Sequence, residues 1–139
     1  MDFFSSMRVS ASGLEAQTKR MNTVSSNIAN SETVGYKRKD PVFAANTDRE
    51  SFGEILQNHL DENIQGVMVE DIQEDARPAR MIYNPSHPQA NVDGYVAMPN
   101  INTVEEMSNM ISAQRSYEAN VTAMNAAKAM AMKALEIGR

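Results

Sequence analysis

Two histidines, His59 and His87, are the side chains of this sequence best suited to acid–base or metal chemistry. His87 stands in "NPSHPQANVDG" (84–94), held between Pro85 and Pro88, with Asn91 and Asp93 shortly after it. An imidazole near a carboxylate can bind a divalent cation, yet this spacing matches no ligand motif. The chain has no cysteine, so thiolate ligation and disulfides are both ruled out. His59 closes "FGEILQNHL" (52–60), which reads as a short helix with Phe52, Ile55, Leu56 and His59 on one face, where a structural imidazole is expected. Carboxylates gather only in "EDIQEDA" (70–76), and a solvated strand edge accounts for them. There is no glycine-rich phosphate loop and no serine elbow. A metal-dependent enzyme built on His87 is the competing reading from another class. The expectation is no enzyme, no cofactor, no metal and no small-molecule substrate.

Composition points the same way. Of 139 residues, 42% are hydrophobic but only 6% aromatic, with 11 Met and no Trp. Such a chain has apolar surface for association but few large side chains to fix a rigid pocket, and methionine adapts to several packings. The net charge of −5 argues against nucleic acid, which needs a basic face. The lone basic trio, Lys37, Arg38 and Lys39, is too short to reverse that and reads as either a contact segment or a solvated run. No stretch approaches the roughly 20 apolar residues of a membrane span. "MDFFSSMRVS" does not have the pattern of a cleaved secretory signal.

The elements that would position any functional surface are two long helices. In residues 3–29, Met7, Leu14, Met21 and Ile28 recur every seven positions, with Phe4, Ala11, Thr18 and Ser25 three before each. Gly13 inside this pattern is either a tolerated weak spot or a close-contact site. From 103 to 137 a second stripe steps by three and four through Met107, Met110, Gln114, Tyr117, Val121, Met124, Lys128, Ala131 and Leu135. Thr103 and Glu106 have capping-box spacing. The expected packing surface is Met7, Leu14, Met21 and Ile28 with Met110, Tyr117, Val121 and Met124. Between the helices, "GVMVEDIQ" (66–73) reads as a strand, "ARMIYNP" (79–85) as its partner, and Tyr95–Met98 as a third extended run. After the first helix, Asn30 is expected in a left-handed cap and Gly35 in a turn. The fold class is mainly α with a small β insert: helices at 1–30 and 101–139 pairing in a coiled-coil-like way, and an extended and β-rich region at 31–100.

"SASGLEAQTKRMNTVSSNIANSETVGYKRKDPVFAA" (10–45) closely resembles the N-terminal signature of bacterial flagellar axial proteins, the rod, hook and hook-associated subunits. Its core elements include Gly13, Asn27, Asn30, Thr33, Gly35, Tyr36 and Lys37. "YNPSHPQANVDGYVAMPNINTVEEMSNMISAQRSYEANV" (83–121) narrows the resemblance to the proximal-rod branch of that family, with another rod or hook subunit as the alternative. The resemblance implies a structural subunit of the periplasmic rod that polymerises through its terminal helices into a helical tube. It implies partners in other rod subunits and further copies of itself, and export through the flagellar type III apparatus without a cleaved signal. Phe52 and Leu56 resemble the short motif such subunits present to the export gate. Residues 1–30 and 101–139, with small residues in their seam and an insert poor in aromatic residues between them, are expected to be largely mobile in dilute monomer and helical in the polymer.

Overall fold

The computed structural model describes residues 3–46 and 65–138. Helix α1 spans Phe3–Ala29 and helix α2 spans Thr103–Ile137, the two long elements that the periodicity anticipates. Between them run β1 (Lys39–Asn46), β2 (Gly66–Glu74), β3 (Arg80–Tyr83) and β4 (Tyr95–Met98). Among the described residues the molecule is mainly helical, with two separate two-stranded antiparallel sheets between the helices. The proposed helix at 52–60, with Phe52, Leu56 and His59, lies outside the described residues.

Strand pairing corrects one expectation. β2 does not pair with the 79–85 segment but with β1, from Lys39 opposite Glu74 to Asn46 opposite Gly66, with an irregularity at Val42 and Phe43. β3 pairs with β4 instead, Arg80 opposite Met98 through Tyr83 opposite Tyr95. A turn diverts the chain after β2. Asp75 accepts the Arg77 backbone N–H (2.9 Å) and its Nε–H (2.7 Å), and Pro78 follows with no N–H to give a ladder. The β3–β4 connection holds the two histidine-flanking prolines. In it Asn91 Oδ1 accepts from the N–H groups of Asp93 and Tyr95 (3.1 and 2.8 Å). Gly94 there has φ +80° and a Cβ would meet the Tyr83 ring at 2.9 Å, so glycine is required.

The helix bounds agree with the sequence reading, but the caps differ. Among the described residues only Gly35 and Gly94 have positive φ, so Asn30 is not left-handed. It ends α1 through its side chain, whose Nδ2 donates to the Ser26 carbonyl at 2.8 Å, and Gly35 makes the turn at φ +80°. At α2 the N-cap is Asn102 rather than Thr103, and its Oδ1 accepts from the Val104 N–H at 3.1 Å. That shift of one residue frees Glu106 from capping and turns it inward.

The helices pack antiparallel. Asn27 meets Glu106 at one point, and at another a Cβ on Gly13 would lie 2.8 Å from Asn120 Nδ2. Gly13 and Asn27 lie two heptads apart, as do Glu106 and Asn120, about 21 Å along each axis. Gly13 is therefore a close-contact site. The sheet of β1 and β2 sits against α1, where Ser12 Oγ accepts from the Val67 N–H at 3.1 Å. The buried apolar side chains among the described residues are Ala16, Val24, Val96, Ile101, Ala113 and Ala127, half of them alanine.

Candidate assembly surface

The largest fully buried side chains are Glu106, Val96 and Asn27, two of them polar. A buried polar group is costly unless fully hydrogen-bonded, so its partners matter. Asn27 is 0% exposed and uses its whole amide. Nδ2 donates to the Lys39 carbonyl (2.8 Å) and to Glu106 Oε2 (3.0 Å). Oδ1 accepts from the Lys39 N–H (2.9 Å) and the Tyr36 hydroxyl (3.2 Å). It thus binds both backbone groups of Lys39, as a strand neighbour would. The Tyr36 hydroxyl also shares a hydrogen bond with Ser26 Oγ at 3.1 Å.

Glu106, 1% exposed, completes the cluster. Its Oε1 accepts from Arg38 Nε at 2.8 Å, and Arg38, with a side chain 13% exposed, also pairs with Asp40. Desolvation alone would lower the Arg38 pKa, but the hydrogen bond and charge of Glu106, with those of Asp40, outweigh it and raise it above the ordinary value. The end of α1, the 36–40 strand entry and, far along the chain, the first turns of α2 are thereby tied at one point. The basic trio is not a uniformly solvated run: Arg38 is internal and Lys39 lies over the Tyr36 ring, while Lys37 stays exposed beside Glu74.

This clamp sets which helix faces turn outward. On α2 the buried line is Glu106, Ala113 and Ala127, with half-buried Asn120 completing the heptad. The sequence reading placed bulky residues there. Half of that stripe, Met110, Tyr117, Met124 and Ala131, flanks the line and is half-buried, while Met107, Gln114, Lys128 and Leu135 are exposed. Val121 is half-buried too. On α1 the buried positions are Gly13, Ala16, Thr23, Val24 and Asn27, and Met7, Leu14, Met21 and Ile28 flank them, again half-buried. Where the helices approach closely, the bulky apolar side chains are displaced to the sides of the line between the axes, which holds Gly13, Ala16, Ala113 and Ala127 beside the hydrogen-bonded Asn27 and Glu106. Periodicity marks the bulky stripes. The signal for the true line was the recurrence of small residues at Gly13, Ala16, Ala113 and Ala127.

Outside this pair, Val104, Met107 and Ile111 form an apolar strip on the first turns of α2, each more than half exposed. At the other end Met130, Met132, Leu135 and Ile137 are exposed. With Asn27 beside Glu106, α2's last two turns or so extend past the start of α1. His87 is half-buried in the β3–β4 loop, where its Nδ1 accepts from the Gln89 N–H at 3.1 Å. No group of three His, Asp or Glu among the described residues is placed to hold a metal ion. No helix among them is long and apolar enough to cross a membrane.

Comparison with known proteins gives two family matches: residues 7–37 match the model described as flagella basal body rod protein, and residues 92–137 match the C-terminal model of flagellar basal body rod FlgEFG proteins. The chain is 45% identical to the flagellar basal-body rod protein FlgC of Bacillus subtilis, covering 100% of both chains. It is 41% identical to that of Borreliella burgdorferi, over 99% of this chain and 98% of the other. The identity to that of Escherichia coli O6:H1 is 36%, over 94% of each.

Proposed function

Since the chain belongs to the FlgC family of flagellar basal-body rod proteins, a family of structural subunits rather than enzymes, we propose that it builds the proximal rod by polymerising through its terminal helices. The observation that carries this reading is the half-buried state of the bulky flanks. Met7, Leu14, Met21 and Ile28 of α1 and Met110, Tyr117, Val121 and Met124 of α2 keep apolar surface that their own subunit does not cover. Neighbouring rod subunits, copies of this chain or relatives of similar helical ends, would complete that burial with coiled-coil-like packing around the tube. Apolar area removed from water contributes about 25 cal/mol per Å², so many half-covered side chains repeated around a tube yield a stable shaft.

In this account the helices form the inner wall of a periplasmic shaft that transmits motor torque, and the β insert makes outer contacts. The subunit reaches its place through the flagellar type III export apparatus without a cleaved signal. Phe52 and Leu56 are proposed to engage the export gate, a reading that rests on sequence alone. The test is deletion of the coding segment, followed by motility assays and imaging of basal bodies. Loss of the rod is expected; intact, swimming flagella would reject the function.

A further inference from the structure

We infer that the Asn27–Arg38–Glu106 cluster is a register lock, which fixes how far α1 is slid along α2. The small residues of the helix pair specify this only in part. A slip of one heptad would bring Gly13 from Asn120 to the position of Ala127, and Asn27 from Glu106 to the position of Ala113. Gly13 and Asn27 would then each face an alanine, and packing would resist the slip only where Arg20 comes to the position of Asn120. The polar cluster opposes it directly. After the slip Glu106 would lie beyond the end of α1, away from the Asn27 amide that now meets it at 3.0 Å. Asn27 would face an alanine methyl and lose the carboxylate partner of its Nδ2. A single buried polar contact in an otherwise permissive helix seam is an attested way to specify register.

Arg38 adds a second constraint, since it reaches Glu106 from the strand entry rather than from either helix. The Asn27 amide holds both backbone groups of Lys39, which places Arg38 next to it. The lock therefore couples three elements, and sliding α2 requires breaking the Arg38 pair as well as the Asn27 contact. A slip would shift the bulky stripe of one helix about 10 Å along the other, so the two halves of an outward face would no longer align. The inference concerns the single chain and stands whether or not the helices face other rod subunits.

The absence of native cysteine makes the test clean. Two disulfide reporters are placed in the full-length purified chain: Gly13→Cys with Asn120→Cys for the observed register, and Gly13→Cys with Ala127→Cys for the slipped one, the latter also carrying Asn120→Ala so that the new side chain at position 13 does not itself strain the observed register. A bridge needs Cα atoms within about 7 Å, and position 127 lies about 10 Å further along the axis than 120. With the lock intact, only the first reporter should oxidise to a bridged monomer. Replacing the ion pair by apolar residues, Arg38→Met with Glu106→Leu, avoids leaving one charge unpaired. In that background the slipped reporter should bridge at about tenfold or more above its level with the lock intact, equivalent to about 1.4 kcal/mol of register preference. Circular dichroism should show helix content retained. The proposal is overturned if the slipped reporter bridges equally in both backgrounds, or if only the native reporter bridges after the replacement. Loss of helix content on replacement also overturns it, since the cluster would then hold the fold and not select a register.

Discussion

Glu106 is the group most exposed to loss of a partner, because its carboxylate is buried against one cation and one amide rather than solvated. Truncating one member of a buried pair leaves the other without its partner, which costs about 3–5 kcal/mol. Arg38 keeps Asp40 and some solvent, so Glu106→Ala should lower stability by about 3 kcal/mol, the bottom of that range. Urea unfolding of the purified chain measures it, and an unchanged midpoint would mean that the cluster contributes nothing net. Asp75 behaves differently. Its side-chain and backbone hydrogen bonds with Arg77 hold its pKa down to about 2. Because folding lowers this pKa, the contribution is complete above the ordinary value of 3.8 and is lost as pH falls through about 2. Titration of the Asp75 carboxyl by NMR should show the low value, and Arg77→Gln should return it toward 3.8; a variant that still titrates near 2 would remove Arg77 as the cause.

At the scale of elements, both helices were legible to within a residue, since heptad periodicity over 27 and 35 residues is a strong signal. Their contact line was not. Hydrophobicity marks Met7, Leu14, Met21 and Ile28, whereas the close approach selects the smaller Gly13, Ala16 and Thr23 beside them. The clamp was equally hidden: Asn27, Tyr36 and Lys37 stood out as a family signature, but nothing local shows that Arg38 reaches Glu106 across 68 positions. Strand pairing failed for the same reason, as β1 and β2 join across a long intervening segment. The flanking stripes give the prediction at this scale. Leu14→Asp or Val121→Asp places a charge on a half-covered apolar face that assembly would desolvate, which is strongly unfavourable. Export of either variant should continue while rod assembly and swimming fail, as read by secreted-protein blots and motility plates. Normal swimming in both would show that these flanks are not the interface.

For the whole molecule, the clamp divides the helix pair into a tied end and a free end. Beyond the part of α1 that the β1–β2 sheet covers around Ser12, few side chains cover the helix ends away from Asn27 and Glu106, and ordering each residue costs about 1–2 kcal/mol of backbone entropy. Protection in the monomer should therefore grade along the pair. Amide hydrogen exchange should be slowest around residues 20–30 and 103–113, and fastest toward residues 5–10 and 130–138; uniform protection along both helices would contradict this gradient. The most direct test of the central claim, that this chain builds the rod through the flanks of its terminal helices, is a cryo-EM reconstruction of isolated basal bodies. The account predicts α1 and α2 side by side in the inner wall, with Met7, Leu14, Met21, Ile28, Met110, Tyr117, Val121 and Met124 covered by neighbouring subunits. Those side chains facing open solvent, with the subunit held only through its β insert, would contradict it.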